Sequence, residues 1–592
     1  MCKQNNEYFN KSVKQYIILA LLSFMVLTPN IIATFFAIDL GSFWMRLFYL
    51  IGSILLFLIP AIVLKARTFF ILQSLTLLLG FVEIAHLIIN KATTSLLFVY
   101  TILISEPGEA VELWSTIWPL ILVIILLFIL YWGIIFHRID NTYLFSIQIR
   151  HYIAYTALLS GLLFLGAYKA NDALLNSLEI PIHNEKMRTE FLSFGEKIFP
   201  LNLAIHTAEI IILNNEIENK KDQVASFSFG IQPKKKQKDE IIVFIIGETA
   251  RYGNFGINGY ERNTTPRLSK RPNIVSFDST YAIANLTTVS VPFILSRATP
   301  QTTKIFNKEK SVVEAFKEAG YGTAWIANQS FGNKLLMPIS SSCDYTHYLP
   351  IDIQNHQNLD IKLLAYLTPL INQPKEQQFI ILHSLGCHFK YNCRYPKEFA
   401  QFQPDLNSET NVTAILDKYN LKTLEDIPNK LDNKSFLTEA KTMLVNSYDN
   451  AILYTDFFLD STIHVLEQTG KSCILVYVGD HGENLLDDDR NMFLHGTYSG
   501  SSYEYHVPMI IWYSNKYRKL HPDKIAALKQ NKSKQISSMV IFHSLIDMAN
   551  IGYSQLDSTL SIVSPSLKNN DTIWGLDANM KLIKIPTAQS NK

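Results

Sequence analysis

Three short segments place acids and imidazoles where apolar runs stop. Ile241 to Ile246 (IIVFII) runs into Gly247-Glu248-Thr249-Ala250-Arg251. Cys473 to Val478 runs into Gly479-Asp480-His481-Gly482-Glu483, and Phe379 to Leu382 runs into His383-Ser-Leu-Gly-Cys-His388. Short continuous apolar runs rich in β-branched residues read as buried parallel strands. Glu, Asp and His brought together suit zinc or a similar divalent ion. One such strand end serves as a capped turn as readily as a ligand site. Three of them, distant in sequence, point to a metal centre.

Such a centre needs a scaffold. Gly322 to Ala327 and Val507 to Trp512 are further strand-like runs, whereas Ser311 to Ala319, Thr438 to Thr469 and Ile536 to Met548 look helical. Strands alternating with helices predict an α/β sandwich around a largely parallel sheet. In such sheets, chemistry sits just past the carboxyl ends of the strands. The polar segment from Ile231 to Glu240 marks a boundary, giving an expected division into residues 1–170, 171–239 and 240–592. No fixed-period repeat exists, so solenoids and propellers are excluded.

The front of the 592-residue chain is of another kind. Tyr16–Ile38, Leu47–Leu64, Thr68–Val82, Leu113–Phe136 and Tyr152–Tyr168 are uncharged apolar runs of 23, 18, 15, 24 and 17 residues. About 20 apolar residues span a bilayer, which predicts five transmembrane helices. Lys3, Lys11, Lys14, Lys65, Arg67, Arg138 and Arg150 alternate with loops holding only Arg46 and Lys91. The positive-inside rule then sets the N-terminus in the cytoplasm and everything after about residue 170 outside, which is the periplasm if the cell is a Gram-negative bacterium. Glu83 and His86, which the third run takes in if it extends to Ile89, are functional candidates because burying them in lipid is costly, or else they lie at the membrane boundary. Between the third and fourth runs, Ser105-Glu-Pro-Gly-Glu109-Ala-Val-Glu112 reads either as an interfacial connector or as a surface where carboxylates receive an ammonium headgroup.

Composition narrows the function. Lys and Arg total 53 against 51 Asp and Glu, so no footprint for nucleic acid exists. Five cysteines make no disulfide scaffold.

With these residues on the page, the chain resembles bacterial phosphoethanolamine transferases, the inner-membrane enzymes that modify lipopolysaccharide and include the mobile colistin-resistance proteins. Ile246-Gly-Glu-Thr-Ala-Arg, Asn258-Gly-Tyr-Glu-Arg-Asn-Thr-Thr-Pro-Arg, Thr287-Thr-Val-Ser-Val-Pro, Gly479-Asp-His-Gly-Glu and Leu494-His-Gly carry the resemblance in order. It implies a five-helix membrane domain followed by a periplasmic α/β/α sandwich of alkaline phosphatase/sulfatase type, acting as a monomer with Zn²⁺. Glu248, Thr287, Asp480 and His481 would hold the zinc, with Thr287 rather than Thr288 as nucleophile. His383, His388 and His495 would contact the substrate phosphate or a second metal ion, and one of them would protonate the leaving oxygen. Thr101, Ser105 and Glu109 would meet the donor headgroup, and Asn328 and Lys334 would face substrate. The implied donor is phosphatidylethanolamine. The acceptor is lipopolysaccharide (a lipid A phosphate or the core) or another surface glycan, and masking a lipid A phosphate would lead to polymyxin resistance.

Some features depart from the family or stay open. Positions flanking the nucleophile, near Ala284 and at Phe293, hold no cysteine, so a disulfide common in the family is missing there. Cys387 is left to pair with Cys393 or Cys343, while Cys473 reads as a free core thiol. Glu483 is as readily a neighbour of the ligands as a ligand, Asp487-Asp-Asp-Arg reads as a solvated loop in preference to a calcium site, and the Glu261 to Pro266 block as a capped turn. Two rivals stand beside the transferase reading. One is a lipoteichoic-acid-type glycerophosphotransferase using phosphatidylglycerol, against which the surface acids argue. The other is a non-catalytic membrane sensor on the same fold, against which the complete ligand set argues.

Overall fold

The structure, a computed structural model, describes residues 2–104, 107–156, 194–231, 239–306, 308–329, 336–350, 358–374, 377–407, 434–488, 490–497 and 500–587. The chain divides into two compact units, Met1–Ile102 with Val111–Ile212, and Leu103–Ala110 with Leu213–Lys592.

The apolar front folds as helices α1 (Cys2–Phe36), α2 (Phe43–Leu58), α3 (Ala66–Asn90), α4 (Leu96–Ile104) and α5 (Pro107–Arg138). Among the described residues four stretches, Val13–Phe36, Phe43–Ile62, Ala66–Ile88 and Ile121–Arg138, are long and apolar enough to cross a membrane. The fifth expected run lies mostly outside the described residues. Ile17, Phe24, Leu72, Leu75 and Ile129 stay exposed on these helices, as lipid-facing positions do. Pro107, expected to interrupt a helix, instead opens α5. Proline suits a first helical position because its missing N–H would have had no intrahelical partner.

The buried polar groups of this unit knit its segments together. Glu83 accepts hydrogen bonds from Thr94 N at 3.2 Å, from the Thr94 hydroxyl and from Asn202 Nδ2 at 3.0 Å. His86 Nδ1 lies 3.0 Å from the Ala92 carbonyl. These contacts make both residues anchors of the loop after α3. Asp39 similarly takes Thr93 N at 3.1 Å and Lys197 Nζ at 2.7 Å.

In the second unit, a seven-stranded sheet runs in the order β2-β10-β7-β1-β6-β4-β5. Its strands are β1 (Glu240–Gly247), β2 (Ile274–Ser276), β4 (Gly322–Ala327), β5 (Tyr345–Tyr348), β6 (Gln377–His383), β7 (Ser472–Gly479) and β10 (Met509–Tyr513), with short β3 (Thr280–Tyr281), β8 (Asn484–Leu485) and β9 (Phe493–Leu494) outside it. Strands β7, β1, β6, β4 and β5 are parallel. The expected last strand, β10, pairs antiparallel with β7. Alternate residues of β1 enter opposite cores. Ile242, Phe244 and Ile246 join Val312, Phe316 and Ile541, while Ile241, Val243 and Ile245 join Tyr448, Ile452 and Leu459. The long helix supplying that second cover, Lys434–Gln468, spans the expected helix and starts earlier. Helices on both faces make the sandwich three-layered. The run Ile536–Met548, expected as one helix, starts as a bridge to β3 and turns helical only from Ile541. Ser537 accepts from Met539 N and so caps a 3₁₀ turn between the two.

Candidate active site

The sheet register explains why distant motifs meet. Ile246 of β1 pairs with His383 of β6, and Gly247 with Gly479 of β7. The three central strands therefore end level, and the next residues of each project into one space. Gly386 lets the β6 turn close over the β1 turn, because a Cβ there would stand 2.6 Å from the Glu248 carbonyl and its φ is +50°. Cys387 N then donates to that carbonyl at 3.0 Å. Thr249, a β-branched residue at φ +56°, occupies a conformation that such side chains disfavour. It is held by donating N–H to Asp480 Oδ1 at 3.0 Å and accepting at its carbonyl from the Tyr448 hydroxyl at 2.6 Å.

Glu248, Asp480 and His481 are buried, each with a ligand atom, and these atoms lie within 4.8 Å of one another. Thr287 is the first residue of a helix, Thr287–Ile294. Its hydroxyl lies 3.1 Å from Glu248 Oε2 and 3.1 Å from His481 Nε2. The partial positive charge at a helix N-terminus favours an anionic oxygen there. The neighbouring Thr288 hydroxyl is buried without a hydrogen-bond partner. Ser290 fixes the helix to the β7 turn by donating to the Asp480 carbonyl at 2.6 Å.

The donor set fits a divalent cation. His481 Nδ1 is 2.8 Å from the Gly482 carbonyl, so it carries the proton and leaves Nε2 as a ligand. Asp480 Oδ1 accepts two backbone N–H groups, at 2.7 and 3.0 Å, whereas its buried Oδ2 has no hydrogen-bond partner. Burial and the charge of Glu248 both push the Asp480 carboxyl above its ordinary range. Burial opposes ionisation of Glu248 too, but the bond and charge of His481, with His388 and His495 beyond, hold it below that range. Burial lowers His481, yet the two carboxylates raise it to about 10.

The other predicted residues divide. His388 and His495 flank the centre, their rings 5.9 Å apart and His495 4.2 Å from His481. His388 Nδ1 lies 2.6 Å from the Phe389 carbonyl, and His495 Nδ1 lies 3.1 Å from Glu483 Oε1. Glu483 therefore contacts a histidine rather than joining the ligand cluster. His383 is buried against Trp325, its Nε2 without a hydrogen-bond partner, and burial lowers it to about 4. Asn328, expected to face substrate, turns instead to Asp360 Oδ1 at 2.8 Å. Asp360 in turn accepts the N–H groups of Leu385 and Gly386, so Asn328 buttresses the β6 turn. Its neighbour Gln329 reaches the centre, donating to Glu248 Oε2 at 3.1 Å. Only its place beside Asn328 in a polar stretch hinted at this. Thr101 donates to Leu97 O within α4. Glu109 falls in the first turns of α5, while Ser105 and Lys334 lie outside the described residues.

Three lesser readings resolve as well. Asp487 is no solvated loop residue, since it meets buried Arg251 in a two-pronged pair at 3.1 Å. The Glu261 to Pro266 block is a turn, fixed by Thr264 and Thr265 hydroxyls that accept from Gly256 N and Ile257 N. Cys387 forms no disulfide and points its buried thiol at Thr455.

The family model for sulfatases matches residues 240–551. Phosphoethanolamine transferase EptC of Escherichia coli (strain K12) is 27% identical over 342 residues, covering 56% of this chain and 54% of that protein. Kdo(2)-lipid A phosphoethanolamine 7''-transferase of Salmonella typhimurium is 30% identical over 309 residues, 50% of this chain and 48% of that one. The chain thus spans about half the length of the curated relatives it matches. Among solved structures, the zinc complex of the C-terminal periplasmic domain of EptC from Escherichia coli superposes with a TM-score of 0.52 at 26% identity, over 60% of this chain and 96% of that one. The integral membrane lipooligosaccharide phosphoethanolamine transferase A of Neisseria meningitidis shares the fold over 91% of this chain and 97% of its own, with a TM-score of 0.63 at 19% identity.

Proposed function

The chain belongs to the sulfatase family, and from that premise we propose that it transfers phosphoethanolamine from phosphatidylethanolamine to lipopolysaccharide, at a lipid A phosphate or the core, from the periplasmic face of the inner membrane. The observation that carries the proposal is the Thr287 hydroxyl, set 3.1 Å from both a carboxylate and an imidazole of the buried ligand cluster. Glu248, Thr287, Asp480 and His481 would hold a zinc ion, which lowers the pKa of a bound hydroxyl and offsets phosphoryl charge.

Thr287 Oγ gives its proton to a neutral histidine of the flanking set and attacks the donor phosphorus, and the bond to the glycerol oxygen breaks. Diacylglycerol leaves with that proton, returned by the same histidine, and phosphoethanolamine remains on Thr287. An acceptor oxygen then loses its proton to that histidine and attacks the same phosphorus, and Thr287 Oγ leaves with the proton the histidine hands back. His388 and His495, each fixed through Nδ1, present Nε2 for these proton transfers. Glu109 on α5 suits an ammonium headgroup by charge.

The test is peptide mass spectrometry after incubation with phosphatidylethanolamine and zinc, beside Thr287→Ala. A phosphoethanolamine adduct on the Thr287 peptide, missing from the variant, is the expected result. A glycerophosphate adduct formed only from phosphatidylglycerol would overturn the choice of donor.

A further inference from the structure

We infer that Glu504 is a positioning residue, locking the loop that carries Thr287 to the loop that carries His495; the inference rests on the transfer reaction proposed above. Glu504 is fully buried. Its Oε1 accepts from Asn285 Nδ2 at 2.9 Å and Thr497 N at 3.0 Å. Its Oε2 accepts from the Thr497 hydroxyl at 2.6 Å and Ser501 N at 2.8 Å. Asn285 precedes the nucleophile by two positions, and Thr497 follows His495 by two.

The same loops are stitched directly. Gly496 N donates to Asn285 O at 3.1 Å, and Asn285 Nδ2 donates to Thr497 O at 2.9 Å. A third segment is drawn in through Ser501, whose hydroxyl donates to Asn484 Oδ1 at 2.6 Å while Asn484 Nδ2 donates to Leu494 O at 2.8 Å. Asn484 immediately follows Glu483, the partner of His495 Nδ1. The Asn285 amide spends its N–H groups on this knot and leaves a buried Oδ1 without a hydrogen-bond partner. An orphaned amide oxygen is costly, so its orientation is held by the knot.

An ionised carboxylate is acceptor-only and can serve several donors at once. A carboxamide of equal shape would set an NH₂ against one of these donors. Glu504→Gln should therefore loosen both loops without opening a cavity. Glu504 bonds to none of Glu248, Asp480 and His481 among the described residues, so zinc binding should not depend on it. In-line transfer, in contrast, depends steeply on the placing of nucleophile and acid.

The experiment uses the full-length, zinc-loaded protein in detergent and compares Glu504→Gln with wild type. Diacylglycerol release from phosphatidylethanolamine should show kcat down by about 10- to 100-fold, with KM and zinc Kd within about twofold. Hydrogen exchange should quicken together in peptides 284–290 and 493–501, with β1 and β7 peptides unchanged. Thr497→Ser keeps every bond to Glu504 and should retain kcat, whereas Thr497→Val should fall between. Unchanged kcat in Glu504→Gln would overturn the inference. So would a fall in which zinc affinity, KM and β1 and β7 protection change with kcat, since that describes general damage. If wild type releases no diacylglycerol, the proposed reaction fails. The exchange comparison needs no lipid and still decides: loosening confined to 493–501 would refute the coupling.

Discussion

Glu83 in the membrane unit and Asp480 in the catalytic unit are both buried acids, and their surroundings are opposite. Glu83 has three donors from Thr94 and Asn202. Asp480 takes its hydrogen bonds on one oxygen only, while the other, 3.5 Å from His481 Nε2, faces a second carboxylate across a small space. A buried acid with hydrogen bonds on both oxygens joins segments together. One left half-engaged beside a like charge is waiting for a cation. The contrast separates structural from chemical acids where residue type alone could not.

The sharpest way to break it is at the nucleophile. Thr287→Ala should reduce diacylglycerol release by about a thousandfold or more, with the midpoint of thermal unfolding little changed. A residual rate near wild type would move the chemistry elsewhere. Next comes Asp480→Asn. Its amide oxygen keeps the bonds from Thr249 N and His481 N, while its NH₂ removes the negative charge that faces Glu248 and the His481 ring. Zinc affinity should drop by about a hundredfold, which titration calorimetry checks. Glu83→Gln should do the opposite: an NH₂ meets a donor, the midpoint of thermal unfolding falls by the equivalent of about 1–3 kcal/mol, and zinc affinity stays unchanged.

A smaller effect concerns protons. His481, raised to about 10 in the metal-free site, is protonated at pH 7. Zinc binding should therefore expel that proton, and titration calorimetry in buffers of differing ionisation enthalpy should count it. By linkage, a histidine with a raised folded pKa stabilises the metal-free fold fully below its unfolded value of about 6.5. That contribution is lost as pH rises through 10. Chelated protein should weaken across this window more than a His481→Asn variant does.

The parallel strands and the polar turns after β1, β6 and β7 were legible in the sequence because each couples an apolar run to polar residues at its end. Other parts were not. Gln329 rather than Asn328 reaches Glu248, and adjacent polar residues in a turn carry no mark of which one points inward. Asp487 sat in an acidic run that read as solvated, since its partner Arg251 is distant in sequence. The antiparallel direction of β10 depends on how its connection returns, which a run of apolar residues does not encode. Glu504 sits in the short helix Ser502–Tyr505, where it closes a capping box with Ser501; that pattern marks a helix start and gives no sign of the three further donors from Asn285 and Thr497.

The level ends of β1, β6 and β7 also bear on heredity. Connections between the strands can lengthen or shrink over generations without disturbing the centre, because the hydrogen-bond ladder resets the measure each time. A single residue added between Ile246 and Glu248 would instead move a carboxylate by about 3.3 Å and turn it to the opposite side of the sheet. Distances between the motifs are therefore free to drift among descendants, while the step from strand to ligand behaves as a ruler that selection cannot recut.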